Sequence, residues 1–182
     1  MALAASQTVI AQNTSELDRR NGFKDVHLGD QYSKWANELT LPGSTDFGML
    51  GYEFKQECLW RYDVFETPVQ SVTLYFSDNS LKEISVKTEY FQHLGGELLP
   101  SGEIRMEEIQ PTLDKLSGLF GKPWDITRPA NKEQQKFNGL ISYAWAGQKV
   151  LLKMCYENKA VGKSYLVINI YDMPFLMYNN GF

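Results

Sequence analysis

The chain has 182 residues, with 18 Lys plus Arg against 22 Asp plus Glu, a formal charge of −4, 43% hydrophobic and 22% charged residues. That length and composition support one hydrophobic core and argue against a disordered chain or a disulfide scaffold. The mild acidity argues against a nucleic-acid-binding protein, and no run of 18 apolar residues exists to cross a membrane as a helix.

Residues 1–12, MALAASQTVIAQ, are small and weakly apolar and lead into the polar run NTSELDRRN. A complete secretory signal has a basic start and a longer apolar centre. This segment matches only the final part of one, with Ala11 near the cleavage point. The reading is export to a periplasm or cell envelope, with residues 1–20 a signal remnant or a disordered tail. The competing reading, a natural tail from Met1, suits an intracellular protein of the immunity type.

No linker divides the remainder, so residues 21–182 are expected to form one domain. The first predicted helix is Asp30–Leu39, with Asp30 as N-cap and Tyr32, Trp35, Ala36 and Leu39 on one stripe. Leu41-Pro42-Gly43 stops it. Strands are predicted over Tyr52–Tyr62 and Ser71–Ser77, and Asp78-Asn79 turns the latter into Leu81–Thr88. A second helix is predicted over about Pro111–Phe120, with Glu107 and Glu108 at its positive end. Ile109, Leu113, Leu116 and Phe120 form its buried stripe, and Gly121 and Pro123 end it. Strands follow over Leu140–Ala146, Lys149–Tyr156 and Tyr165–Asp172.

The order is helix and three strands, twice, over about 23–90 and about 105–173. The predicted class is α+β: tandem α-β-β-β repeats forming a mainly antiparallel sheet, with helices on one face and solvent on the other. The phrases LSGLFGKPWD, LISYAWAGQKVLLKMCYE and YLVINIYD, spanning roughly residues 109–172, resemble the exported modules of the β-lactamase-inhibitor-protein type and the outer-membrane assembly lipoprotein that shares their layout. The resemblance implies a binding module rather than an enzyme. The first half carries a looser echo: it lacks the Gly-x-Pro phrase after its helix, and no lipid-acceptor cysteine follows the signal-like segment.

The cysteines, Cys58 and Cys155, fall on opposite faces by alternation, which predicts two free thiols. Acid–base or metal chemistry has little material. His27 lies between Asp25 and Asp30 on one short stretch, which does not make a coordination signature. The alternative to a binding module is a small enzyme with its site between the two halves, built on a Cys58–His93 pair or on the strand carboxylates, but Cys58 reads as core-facing. Glu53 and Glu57 share a predicted strand face with Lys55 and Arg61, which reads as a salt-bridged surface. No catalytic, metal or cofactor-binding residues are therefore assigned.

The binding reading is better supplied. Tyr75 falls on the face opposite Val72, Leu74 and Phe76, while Tyr143, Trp145 and Tyr171 lie on strands apolar on both sides. With Lys153 they form the candidate contact surface for another protein or peptide. The uncharged end, MPFLMYNNGF, is expected to tuck against the sheet.

Overall fold

A computed structural model describes residues 13–89, 91, 106–125, 140–160 and 163–179. The first half contains α1 (Thr14–Arg20), β1 (Gly22–Phe23), β2 (Val26–His27), α2 (Tyr32–Trp35), β3 (Ser44–Asp46), β4 (Met49–Glu53), a 3-10 turn (Gln56–Arg61), β5 (Asp63–Val64), β6 (Thr67–Ser77) and β7 (Ser80–Thr88). The second contains α3 (Met106–Phe120), β8 (Trp124–Asp125), β9 (Leu140–Ala146), β10 (Val150–Ala160), β11 (Lys163–Asp172) and α4 (Met173–Asn179). The class is α+β with an antiparallel sheet.

Strand order across the main sheet is β3-β4-β6-β7-β11-β10-β9-β8, with β5 beside β6 and β1–β2 a separate hairpin. Reading inward from either side, each half contributes its strands in chain order, and the last strands of the halves, β7 and β11, meet at a central seam. There Ile84 opposes Ile170 and Val86 opposes Ile168. One face is apolar: Leu74, Ile84, Ile170, Leu152 and Trp145 follow one another across five strands. Leu17 of α1, Trp35 of α2, and Ile109, Leu116 and Phe120 of α3 join these residues in one core cluster, so α1–α3 cover the apolar face. Asp78 and Asn79, at φ 50° and 62°, make the β6–β7 turn in the left-handed conformation that a two-residue hairpin favours.

Local structure departs from the sequence pattern in five places. Residues 14–20, assigned above to a tail, form α1. Its N-cap Asn13 accepts from the Glu16 N–H, and Leu17 is buried. The Asp30–Leu39 helix is one turn long. Backbone bonds from Gly29 to Leu81 and from Tyr32 to Asn79 tie its start to the β6–β7 hairpin, and the Leu39–Phe54 bridge draws out its end. Asp30 does not cap it: its carboxylate accepts from the His27 N–H, Lys34 Nζ and Trp35 Nε1 instead.

The Tyr52–Tyr62 strand stops at Glu53 and gives way to the 3-10 turn. Leu59 is its buried position, and Tyr62, three residues on and just past its end, is buried as well, in keeping with a three-residue period. Helix α3 begins five residues earlier than expected and carries Pro111 internally, at the cost of one backbone bond. Its first turn is held by Glu108, which accepts from Tyr156 OH at 2.8 Å and Ser164 Oγ at 2.7 Å. The C-terminal segment forms α4, which is only partly tucked: Met177 and Tyr178 are exposed, while Phe175 lies 5.7 Å from Lys82 Nζ.

Candidate functional site

The five aromatic and basic candidates do not form one surface. Trp145 is fully buried on the apolar face and donates from Nε1 to the Gly121 carbonyl at 2.8 Å. Tyr143 is half-buried on the same face, packed against the core. Both therefore leave the proposed contact set: register with Leu152 and Met154 turns them under the helices. Tyr75, Lys153 and Tyr171 do share the opposite face. Tyr75, Glu83 and Tyr171 stand in one cross-strand row, and Ser85, Asn169 and Lys153 in the next.

That face is not the open wall expected from the sequence. Glu83 is only 2% exposed and Tyr171 7%. The Asp46 carboxylate acts directly on Glu83, although β3 and β7 are separated by three strand spacings, roughly 14 Å on a flat sheet. The β3–β4 end must therefore curl over the face. Burial first, and then Asp46, push the Glu83 carboxyl up to about 8, against the opposing effects of Lys153 and Tyr171. One Glu83 oxygen, Oε2, has no hydrogen-bond partner. Burial, with the neighbouring Glu83, holds the Tyr171 hydroxyl well above the usual tyrosine range. A raised carboxyl beside another is the raw material of acid–base catalysis, and here it lies almost wholly buried. Nothing in the strand alternation signals that Glu83 is covered.

The other chemical candidates stay apart. Cys58 is a half-buried free thiol on the 3-10 turn, packed against the core, and His93 lies outside the described residues. Cys155 is also free and accepts a bond from Ser142 Oγ. Glu53 and Glu57 do not share a strand face, since Glu57 sits in the 3-10 turn; Arg61 pairs with Glu38 instead. The His27 ring is exposed, and among the described residues no three metal-ligating side chains gather.

Two places do present surface to a partner. At the β3–β4 end, Leu41, Phe47 and Leu50 are 87%, 52% and 47% exposed; Trp60, also exposed, stands apart on the 3-10 turn beside β6. The Thr40 and Gly43 N–H groups bond to Glu53 and Gly51, so Leu41 runs along β4, and Phe47 tips the hairpin. Among the described residues β3 pairs only with β4 and ends the sheet. The second place is a cleft of about 570 Å³ in the helical layer. Its floor is Leu152, Ile168 and Ile170 of the sheet; its walls include Phe23, Phe65 and the Leu116–Phe120 end of α3; its rim carries Arg19, Arg20 and Lys24. The Arg19-Arg20 doublet is visible in the sequence, but it sits in a stretch that reads as polar tail.

Comparisons with protein-family models, curated proteins and solved structures gave no match for this chain.

Proposed function

We propose that the protein is a non-enzymatic, exported binding or inhibitory module that acts by protein–protein contact at the β3–β4 end of its sheet. The observation that carries this reading is the set of large apolar side chains, Leu41, Phe47 and Leu50, exposed where the sheet ends. Exposed apolar groups gathered in one place mark interaction surfaces. A strand paired on one side only offers backbone donors and acceptors to an extended segment. The occupant is such a segment of a partner protein, laid along β3 with apolar side chains against Leu41 and Phe47. The signal-like residues 1–12 support export, and the resemblance of residues 109–172 to exported inhibitory modules supports a role without catalysis.

Site-specific photo-crosslinking in the producing cell tests this. A photoreactive residue at Phe47 is expected to capture one adduct of discrete mass, and the same group at exposed Lys122, beside the other end of the sheet, none. The purified partner then binds the wild-type protein and loses at least tenfold in affinity to the combined Leu41→Ser and Phe47→Ser variant. Equal capture from both positions, no capture, or unchanged affinity of the variant overturns the proposal.

A further inference from the structure

The helical-layer cleft is separate from the β3–β4 end, and its chemistry is of another kind. Its volume, about 570 Å³, lies within the roughly 300–1,000 Å³ of small-molecule sites. Leu152, Ile168 and Ile170 supply a floor of hydrocarbon only, while the charged lining groups stand at the mouth. The charges there do not cancel. Arg19 and Arg20 both hold the single carboxylate of Glu16, at 2.7 Å each, and Lys24 is matched one-to-one by Asp63 at 2.8 Å. Three cations against two carboxylates leave an excess of one positive charge, on a chain whose formal charge is −4. The Arg19 and Arg20 side chains are 69% and 45% exposed, so their guanidiniums can turn to a new anion. Their planar forks match a carboxylate in two-point contact.

We infer that this cleft binds a single-chain carboxylate amphiphile of the fatty-acid class, its aliphatic chain on the Leu152–Ile168–Ile170 floor and its headgroup between Arg19, Arg20 and Lys24. Each methylene taken fully out of water strengthens binding about fourfold, so affinity follows chain length as well as head charge.

Monomeric dodecanoate, titrated below its aggregation threshold and followed by calorimetry and methyl NMR, provides the test. Saturable one-to-one binding that moves the Ile168 and Ile170 methyl signals is expected. Octanoate binds more weakly by at least tenfold, and dodecyltrimethylammonium of equal chain length likewise binds at least tenfold more weakly than dodecanoate. The combined Arg19→Glu and Arg20→Glu variant, altered only at exposed side chains, weakens dodecanoate at least tenfold. The more conservative Arg20→Gln weakens it severalfold and covers the case in which the double reversal unfolds α1. The inference is overturned by equal binding of the cationic and anionic amphiphiles, by absence of saturation, by unmoved Ile168 and Ile170 signals, or by sedimentation with phosphatidylglycerol vesicles without uptake of monomeric dodecanoate. None of these outcomes depends on the β3 edge.

Discussion

The Asp18 carboxylate accepts three successive backbone N–H groups at the β9–β10 turn, from Gln148 and Lys149 at 2.9 Å each and from Val150 at 3.0 Å. It joins α1 to a hairpin some 130 positions along the chain. A Cβ on Gly147 would run into the same carboxylate, so the turn is built around it. Asp18→Ala removes a charged acceptor from three donors at once, and a loss of about 1–3 kcal/mol is expected in urea unfolding. Gly147→Ala is expected to destabilise as well, and to do less harm in the Asp18→Ala background, because the obstructing group is then gone; the double-mutant cycle checks it. No local pattern marks Asp18, since its partners are backbone groups far off in sequence. The same blindness applies to Trp145: its strand is apolar on both sides, so only the register with Leu152 settles which way the indole points.

Among the elements, the legible ones are those whose periodicity is unambiguous. The β6–β7 hairpin with its Asp78-Asn79 turn, the Ile109/Leu116/Phe120 stripe of α3 and the Gly121 stop at φ 79° all follow from short-range rules. The misread elements are those ruled by distant partners: the β6–β7 hairpin shortens α2, and sheet hydroxyls on Glu108 lengthen α3. The curled β3–β4 unit adds a titratable hold of its own, Asp46 against Glu83. Glu83 holds its proton in the folded state up to about 8, whereas the unfolded chain releases it near 4.5. Between those values the folded state binds more protons, so its stability falls as pH rises and levels off above about 8. Glu83→Gln is expected to flatten this slope and to raise the urea midpoint at pH 8–9 relative to the wild type. Midpoints of both proteins from pH 5 to 9 decide it, and equal slopes sink the idea. Glu16 acts in another window: its two arginines lower its carboxyl to about 2, so the hold on α1 is present above about 4.5 and is lost as pH falls toward 2.

At the scale of the molecule, each half gives four strands to the main sheet where the sequence pattern predicts three, and the β6–β7 and β9–β10 hairpins, being local, are what is legible in the sequence. The way the halves join is not, because the β7–β11 pairing links residues 84 positions apart, such as Ser85 and Asn169, whose side chains bond at 2.7 Å. Ile84 is fully buried at this seam opposite Ile170, and Ile84→Ala is expected to cost about 2–5 kcal/mol. One cooperative transition seen by both tryptophan fluorescence and circular dichroism would show that the halves unfold together; two separated transitions would show that the seam is not what holds them. The seam also bears on how the chain emerges from a ribosome. Synthesis runs at about 5–20 residues per second, so β7 waits several seconds for β11, its neighbour in the finished sheet, to be made. Throughout that interval the nascent first half shows one raw flank, the unpaired β7 edge with Leu81, Ile84 and Val86, to every other newborn chain nearby, which makes early engagement by a holding chaperone valuable to this protein.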